Sequence, residues 1–360
     1  MNRKQILRTL VFFVLLFLML VILSDLFEYQ NSNMSRRYEK YKSLEDDTVD
    51  AVFIGTSGVD RYWINAKAYD EYGMTVYPFS TEGLPPWLVL NMVKECQKYQ
   101  NPGLIIIDAR PFITGNFAKN VNLTDVRCRR VIDMLNYFSF NRISAIRRSK
   151  EVLSSLDNED RTFSPNYFFS FIRYHNKWSD DDFSFDDLDL EMAGYMGFYV
   201  AESKSIKKTV IDESEFTDKK EPLDPISGEY LEELIAYIKE NKTDVLFVDT
   251  PNYSSELECA RRNTLAGILE NAGIAYLNFN TAEMEEICPL DKENDFYNSS
   301  HVNYYGAEKF TEYFAKYLSE NYSLPDHRND EKCAEDWNGI YEKIKKKIAK
   351  FEKNAAKKKK

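Results

Sequence analysis

Two short stretches of this sequence hold residue types that could together do nucleophilic chemistry. The first is IGTSGVDRYW (54–63), in which Ser57 lies in a Gly-x-Ser turn after a short apolar run. Such a turn at the end of a buried strand exposes the hydroxyl beside unpaired backbone N–H groups of the next helix. Because glycine and serine are ordinary turn residues, a purely structural turn is the alternative interpretation.

The second stretch is NDFYNSSHVNYYGAEKFTEYF (294–314), which contains His301, one of only 3 histidines in the chain. A base within hydrogen-bond distance would make the Ser57 hydroxyl a nucleophile. The other two histidines, His175 and His327, lie in an irregular middle region and in a polar C-terminal segment. For these two we predict surface or packing roles.

The elements that must position these residues alternate between strands and helices. Apolar runs predict five strands, at residues 50–55, 74–80, 103–109, 244–250 and 274–280. Apolar residues at helical spacing predict helices at 85–100, 229–242, 256–273 and from about Tyr304 to Asn321. This order predicts a parallel sheet that is covered on both faces and binds ligands at the carboxyl ends of its strands. Ser57 and His301 would then lie at the same edge of the sheet.

The N-terminal segment predicts a membrane anchor. Residues 9–24 carry no charge, and Ile6 and Leu7 extend the apolar run toward the length of a bilayer span. Basic residues precede the run and acidic residues follow it. The positive-inside rule therefore predicts a cytoplasmic tail at 1–8, a transmembrane anchor at 9–27 and a main domain outside the cell membrane. A cleavable signal peptide is the alternative, although no small-x-small site closely follows the run.

The rest of the chain divides by composition into a polar stalk at 28–48, an α/β domain at 49–325 and a basic tail at 326–360. Within the domain, residues 111–225 break the alternating pattern and predict an insertion that caps the ligand edge of the sheet. Its acidic part, WSDDDFSFDDLDLE (178–191), either belongs to that cap or forms a disordered loop. The tail predicts an amphipathic helix that either holds an anionic membrane or wall polymer or docks on the domain.

Composition excludes several other classes of protein. A formal net charge of -11 argues against nucleic acid as a general partner, because its phosphates would be repelled. Hydrophobic residues make up 44% of the chain, which is enough for a large core and excludes global disorder. The 5 cysteines form no C-x-x-C pair, which argues against a disulfide scaffold and a zinc site. We predict that they are small core residues.

A Gly-x-Ser after the first strand, combined with a late Asp-x-x-His motif before a helix, is typical of the SGNH/GDSL hydrolase superfamily, which this chain resembles over residues 50–320. HVNYYGAEKF, IRYHNKW and IIIDARPF resemble its membrane-anchored extracytoplasmic branch, which includes the alginate O-acetylation proteins and the D-alanyl-lipoteichoic acid transfer protein. The resemblance implies an SGNH-like (flavodoxin-like) five-stranded parallel sheet. It also implies that Ser57 is the nucleophile and His301 the general base, with no metal or diffusible cofactor.

Two further positions come from the resemblance, and one of them departs from the family pattern. Gly83, in the TEGLPPW turn after the second strand, matches the block whose backbone N–H helps to bind the oxyanion. After the third strand, where many family members have an oxyanion asparagine, this sequence has Asp108, Ala109 and Arg110. Arg110 could supply positive charge there. The alternative is an ion pair with Asp108 or another acid at the strand end.

A second departure concerns the partner of His301, because the aspartate of the family motif is Asn298 here. An amide oxygen can accept the Nδ1 proton but carries no charge, and loss of this charge in a serine protease costs roughly ten-thousandfold in rate. Asp295 could replace the missing carboxylate only if the loop turned it inward. The sequence therefore predicts a site that is attenuated, rescued by Asp295, or inactive, and we favour the attenuated dyad.

The resemblance implies extracytoplasmic acyl transfer, with O-acetylation of a cell-surface polysaccharide through a Ser57 acyl-enzyme as the main hypothesis. Its implied partner is a membrane-bound O-acyltransferase that exports the acyl unit. Two alternatives stay open. One is a carbohydrate esterase that uses water in place of the sugar hydroxyl. The other is a catalytically inactive polysaccharide-binding or scaffold subunit, for which Asn298 is the main evidence.

Overall fold

A five-stranded parallel sheet forms the centre of the protein. The computed structural model describes residues 2–28, 33–115, 117–157, 165–169, 171–172 and 194–358. The strands are β1 Ala51–Gly55, β2 Val76–Ser80, β3 Leu104–Asp108, β4 Val245–Asp249 and β5 Ala275–Asn278, in the order β2-β1-β3-β4-β5. All five predicted strands and their parallel pairing are confirmed. Every residue of β1, β2 and β3 is buried, which explains their uninterrupted apolar runs.

Helices pack on both faces of this sheet, and the long apolar helix α1 stands apart from it. In chain order they are α1 Arg3–Glu28, α2 Asn33–Ser43, α3 Ser57–Tyr62, α4 Asn65–Tyr72, α5 Pro86–Cys96, α6 Arg110–Ile113, α7 Val121–Met134, α8 Phe140–Asp157, α9 Glu202–Ser205, α10 Pro225–Asn241, α11 Glu256–Ala272, α12 Ala282–Ile287, α13 Tyr304–Asn321, α14 Glu331–Trp337 and α15 Ile340–Lys358. A small antiparallel pair, β6 Phe296–Asn298 and β7 His301–Val302, precedes α13. The predicted helices α5, α10, α11 and α13 are confirmed.

The strand order creates a crevice at one edge of the sheet. The chain moves from β1 outward to β2 and then returns past β1 to β3, so the direction of winding reverses between β1 and β3. Right-handed crossovers in opposite directions place α4 and α13 together on one face and α5 and α10 together on the other. Ligands of such sheets bind outside the carboxyl ends of the strands at this reversal. Ser57 and Arg110 directly follow the two strands that flank it.

Helix α2 belongs to the core, so the predicted stalk at 28–48 is wrong over its described part. Tyr38 and Tyr41 are buried beneath this helix. Arg37 forms a buried ion pair with Asp60, whose Oδ2 lies 2.6 Å from Arg37 Nη2. The charged residues around these side chains make the segment appear solvent-exposed in the sequence, although its aromatic face covers the sheet.

Helix α1 is long and apolar enough to cross a membrane. Its candidate span, Arg3–Ser24, covers 22 residues, and the most apolar 18-residue window of that span has a mean hydropathy of 3.0. Leu7, Phe12 and Leu15 are exposed along it, with no domain packed around them. A signal sequence near an N-terminus has the same features. The predicted anchor at 9–27 is therefore supported as an apolar helix of sufficient length, and its orientation stays a prediction.

The predicted insertion at 111–225 includes α7, α8 and α9. Helix α8 packs against α5 and α7. The N-terminal part of α7 reaches the carboxyl edge of the sheet, where Thr124 and Arg127 line a pocket. Within the insertion, α7 therefore lies at the ligand edge, while α8 packs behind it. The acidic stretch 178–191 and His175 lie outside the described residues.

The predicted tail at 326–360 is an integral part of the domain. Trp337 stacks on Tyr69, with ring centroids 5.5 Å apart. The Tyr341 hydroxyl donates to Glu308 Oε1 at 2.6 Å. The apolar face of α15 is buried, at Ile340, Ile344, Ile348 and Phe351. Of the two alternatives for the tail, the docked helix is confirmed, and its apolar face is not available to a membrane.

The cysteines are packing residues, as predicted. Cys96, Cys128, Cys259, Cys288 and Cys333 are all buried free thiols. Burial raises the pKa of Cys128 and Cys288 to about 12 and that of Cys333 to about 11. Because the thiolate is the reactive form, these side chains are inert at neutral pH.

Candidate active site

Ser57 is the first residue of α3 and follows the end of β1 by a single residue, Thr56. The Thr56 side chain caps this helix by accepting the Gly58 N–H at 3.2 Å. The buried carboxylate of Asp108 accepts the Thr56 N–H at 2.8 Å and also the Thr56 hydroxyl proton. A Cβ added at Gly55 would lie 2.1 Å from Asp108 Cβ, so only glycine fits there. These contacts hold the turn that exposes Ser57.

His301 lies directly opposite Ser57. It belongs to the small β6–β7 pair, in which Asn298 is its cross-strand partner. Asn303, two residues after His301, caps the N-terminus of α13 and so sets the end of the β6–β7 pair. Ser57 Oγ and His301 Nε2 are 2.7 Å apart. The Tyr297 ring stacks on the imidazole with centroids 5.5 Å apart and an angle of 5°, which holds its plane.

Asn298 completes the relay on the far side of the imidazole. Its Oδ1 lies 3.1 Å from His301 Nδ1 and accepts the Ser300 N–H at 2.9 Å. Because a backbone N–H can only donate, the asparagine atom that faces both groups is the oxygen. His301 Nδ1 then carries the proton and Nε2 is free to accept the Ser57 hydroxyl proton. The relay is hydrogen-bonded throughout, but it holds no negative charge.

The alternative in which Asp295 acts as the relay acid is wrong. Its Oδ2 accepts the Asp291 N–H at 2.7 Å and pairs with Lys309 Nζ at 2.6 Å. His301 Nδ1 faces Asn298 instead. The Asp295 carboxylate therefore ties the loop before β6 to α13, which is a structural role.

Gly83 lies in the turn after β2 and lines the same pocket as Ser57. Its φ is 64°, in the left-handed region that favours glycine. The Arg127 side chain covers it, because a Cβ added at Gly83 would lie 2.3 Å from Arg127 Nε. The structure thus brings Gly83 to the pocket, while the oxyanion role of its N–H stays a prediction.

Arg110 begins α6 at the end of β3. Its backbone N–H donates to Asp108 Oδ1 at 3.0 Å, but its guanidinium forms no ion pair with any described acid. Nη1 donates to the Ser300 carbonyl oxygen at 3.3 Å. Nη2 is buried and has no hydrogen-bond partner among the described residues. The charge of Arg110 still acts on Asp108, since burial raises the pKa of that carboxyl while Arg110 lowers it, but the guanidinium makes no direct ion pair with it and Nη2 has no partner in the described part of the chain.

The predicted site residues Ser57, His301, Asn298, Gly83 and Arg110 share a pocket of about 480 Å³. Its cationic lining residues are Arg61, Arg110, Arg127 and Lys204, and Glu82 is the only acid among the described residues that line it. Glu82 Oε1 accepts from Arg61 Nη2 at 2.9 Å, and its Oε2 accepts from Arg130 Nη1 at 3.1 Å. The pocket is positively charged, although the formal net charge of the chain is -11.

The positive charge of the pocket acts on the imidazole of His301. Burial and the cations Arg110, Arg61 and Lys204 lower the pKa of His301 to about 2. At neutral pH the imidazole is therefore neutral and able to accept a proton. The imidazolium that forms would be opposed by the same cations, with no carboxylate to offset them. The geometry favours proton transfer from serine, and the positive charge of the pocket opposes it.

Four further residues that were not predicted from the sequence line the pocket: Arg61, Arg127, Lys204 and Tyr297. Arg61 has a local signal, because it lies four residues after Ser57 and so one helical turn away on the same helix. Tyr297 belongs to the quoted His301 stretch, where its aromatic type was not used. Arg127 and Lys204 come from the insertion, and no spacing in the sequence relates them to β1.

A second cluster of ligand-type side chains lies outside this pocket. Ligand atoms of His327, Asp330 and Cys333 are within 4.8 Å of one another, a spacing that a metal ion could use. His327 already bonds Asp50 Oδ1 through Nε2 at 3.0 Å and Asp330 Oδ2 through Nδ1 at 3.2 Å. These contacts tie the start of α14 to the start of β1. The packing role predicted for His327 is confirmed.

The fold and the site define a class of protein, an α/β protein with a parallel five-stranded sheet and a Ser–His–Asn relay at its carboxyl edge. No known protein-family model matches this chain, and no curated protein matches it by sequence. The sheet, the relay and the charge of the pocket are therefore the features that bear on function.

Proposed function

We propose that this protein is an SGNH-like acyltransferase that works outside the cell membrane and O-acetylates a cell-surface polysaccharide through a Ser57 acyl-enzyme. The observation that carries the proposal is the continuous relay from Ser57 Oγ through His301 to Asn298. The position of the serine after β1 and of the histidine before α13 agrees with the SGNH pattern. The sheet order β2-β1-β3-β4-β5 supports the same assignment.

In the first step, Ser57 Oγ attacks the acyl carbonyl carbon while its proton passes to His301 Nε2. The imidazolium keeps its Nδ1 proton, which it donates in a hydrogen bond to Asn298 Oδ1, and gives the Nε2 proton to the leaving oxygen, which departs as an alcohol. A sugar hydroxyl then transfers its proton to Nε2 and attacks the Ser57 ester. Collapse of that intermediate returns the proton to Ser57 Oγ and releases the acylated sugar.

Three donors are available for the oxyanion that forms in each step. The Ser57 N–H starts α3, where the first N–H groups have no partner within the helix. The unpaired Arg110 Nη2 supplies a charged donor where many family members have an asparagine. The Gly83 N–H is the third. Each such donor in an oxyanion site typically stabilises the transition state by about 2.7 to 4 kcal/mol.

The charge of the pocket favours a substrate with a negative group beside the reacting hydroxyl. Arg127 and Lys204 line the pocket and form no ion pair with a described acid. An anionic group bound between them would offset the cations that lower the pKa of His301 and would make it a stronger base. A carboxylated or phosphorylated polysaccharide carries such groups.

The membrane assignment supports a partner that supplies the acyl unit. Within the described residues, α1 is the one helix long and apolar enough to cross a membrane. We include a membrane-bound O-acyltransferase as the exporting partner. Helix α1 would hold the domain at the membrane with the N-terminus in the cytoplasm.

The decisive test is the intact-protein mass after incubation with p-nitrophenyl acetate. We expect wild type to gain one acetyl group and Ser57→Ala to gain none. Ser299→Ala is the matched control, because Ser299 is an exposed serine in the same loop as His301 and should not alter the gain. Failure of the wild-type protein to gain mass would contradict acyl transfer.

Two alternatives give different outcomes in the same experiment. An esterase would form the acyl-enzyme but lose it to water at one rate, whether or not an anionic oligosaccharide is present. An inactive binding subunit is favoured by the uncharged Asn298 and by the lowered pKa of His301. It would form no acyl-enzyme and yet bind the oligosaccharide, with weaker binding after Arg127→Ala.

A further inference from the structure

Large apolar side chains stand exposed at one corner of the insertion, which we name the α7–α8 corner. Phe138, Phe140, Ile143 and Phe168 have 67%, 91%, 51% and 43% of their surface exposed. Phe138 lies in the turn between α7 and α8, and Phe140 and Ile143 lie on the first turns of α8. Grouped apolar exposure of this kind marks a surface that binds an apolar partner.

Hydrogen bonds hold this corner in place. The Phe138 N–H donates to Asn136 Oδ1 at 3.0 Å, and the Ser139 N–H donates to the Asn136 carbonyl oxygen at 3.0 Å. The buried Arg142 guanidinium donates from Nη1 to two carbonyl oxygens at the end of α7, at 2.8 and 2.9 Å. The backbone that carries Phe138 and Phe140 is therefore a defined turn.

The corner adjoins the apolar helix α1. The Phe17 ring from α1 lies 6.0 Å from the Phe138 ring and 5.9 Å from the Phe169 ring, centroid to centroid. Ser24 Oγ, at the end of the apolar part of α1, accepts the Phe171 N–H at 3.5 Å. Between α1 and the corner is a cavity of about 260 Å³ whose lining includes Phe17, Ile143, Ile146, Phe168 and Phe169.

The position of Phe17 along α1 gives the depth of this contact. The candidate span of α1, Arg3–Ser24, covers 22 residues, which at 1.5 Å per residue is about 33 Å, close to the thickness of a bilayer core. Phe17 precedes Ser24 by seven residues and so lies about 10 Å inside that end of the span. A ring in contact with Phe17, such as that of Phe138, lies in the apolar layer whenever α1 spans the membrane.

We propose that the α7–α8 corner inserts into the membrane leaflet around the C-terminal half of α1, where lipid acyl chains cover its phenylalanines and enter the cavity beside Phe17. The continuity of the corner with α1 favours lipid over a partner protein, since both surfaces lie at one depth. Interfacial elements usually enter a membrane by about 5 to 10 Å, which matches the depth of Phe17. The inference requires α1 to span the membrane, and it does not depend on the proposed acyl transfer.

The test uses the full-length protein in phosphatidylcholine proteoliposomes with a fluorescent thiol label on Phe140→Cys. The native cysteines are buried and inert, so the label reports one site. Phe12→Cys on α1 is the control for membrane insertion, and Val210→Cys is the aqueous control, because Val210 is apolar, 71% exposed and lies on the segment beside β6. A nitroxide-labelled phosphatidylcholine quenches labels in lipid, and iodide quenches labels in water.

We expect the label at position 140 to behave like that at position 12, with strong quenching by the nitroxide lipid and at least severalfold weaker quenching by iodide than at position 210. Equal iodide quenching at positions 140 and 210 would overturn the inference. Protection of position 140 from both quenchers would also overturn it, because a second copy or another protein would then cover the corner. If the nitroxide lipid did not quench the label at position 12, α1 would not lie in the membrane, and the inference would be overturned.

Discussion

Changing Asn298 to aspartate should convert the attenuated relay into a faster one. The substitution Asn298→Asp keeps the shape of the side chain and adds one negative charge beside His301. Both groups that face Asn298 Oδ1, the Ser300 N–H and the His301 Nδ1–H, can donate equally well to a carboxylate. No movement of the backbone is required, so the variant isolates the effect of charge on acylation of Ser57.

The magnitude follows from the geometry of the relay. Since Nδ1 and Oδ1 are 3.1 Å apart, the charges of a carboxylate and the imidazolium would be separated by about 4 Å, which gives about 4 kcal/mol at an effective dielectric constant of about 20. The amide dipole of Asn298 already supplies part of this energy. We therefore expect a gain of about 1.4 to 4 kcal/mol in transition-state stabilisation, or about ten- to a thousandfold in acylation rate.

The assay is single-turnover release of p-nitrophenol from p-nitrophenyl acetate over a range of about pH 5 to 8. Burial and the pocket cations lower the pKa of His301 to about 2, so the wild-type base is neutral across this range and acidification should not slow it. A carboxylate at position 298 favours the imidazolium and raises that pKa. The rate of the variant should therefore begin to fall at a higher pH than the rate of wild type.

The control for this experiment is Asp295→Ala. Loss of the Asp295 contacts to Lys309 and the Asp291 N–H should lower the free energy of unfolding by about 1 to 3 kcal/mol. The acylation rate per folded molecule should not change. A folded Asn298→Asp protein with neither a faster rate nor a shifted pH profile would refute the assignment of the relay, and so would loss of acylation in Asp295→Ala.

Two further changes test contacts at opposite ends of the domain. Burial lowers the pKa of His327, but its hydrogen bonds and charge pairs with two aspartates outweigh burial and raise it. The contribution of His327 to stability is then complete below about pH 6.5 and is lost as pH rises through the raised folded pKa. Urea midpoints of wild type and His327→Gln should therefore differ more at about pH 6 than at about pH 9, and a constant difference would contradict this. Gly83→Ala should destabilise the fold by about 1 to 2 kcal/mol because of its positive φ, and should displace Arg127. Thermal melting of Gly83→Ala measures the loss of stability. If this variant bound an anionic oligosaccharide as tightly as wild type does, a role for the Arg127 guanidinium in binding would be contradicted.

The sheet was predictable mainly because β1, β2 and β3 are buried on both faces and so appear as uninterrupted apolar runs. The contact between Ser57 and His301 was predictable from the parallel arrangement of the strands, since both residues follow strands that end at one edge of the sheet. Helix α2 was not predictable, because Tyr38 and Tyr41 are its apolar anchors within RRYEKYKS. Charged neighbours outnumber them, and only the tertiary contact with the sheet shows which face is buried.

The electrostatics of the site could be predicted only in part. Asn298 and His301 are close in sequence, so their pairing is a local property of one short loop. Arg127 and Lys204 come from elements of the insertion whose docking depends on packing between helices. Whether Asp295 faced the imidazole also depended on tertiary contacts, because Lys309 on α13 holds its carboxylate elsewhere.

The buried carboxylate of Asp108 has a consequence for how the site moves. It accepts hydrogen bonds from the Thr56 N–H and hydroxyl at the end of β1 and from the Arg110 N–H at the end of β3. Opening either loop alone would leave a buried polar group without a partner, which is costly. The two loops should therefore open as one cooperative unit, with the amides of Thr56 and Arg110 exchanging their hydrogens at a common opening free energy. Between such openings, the spacing of Ser57 and the Arg110 backbone is constant.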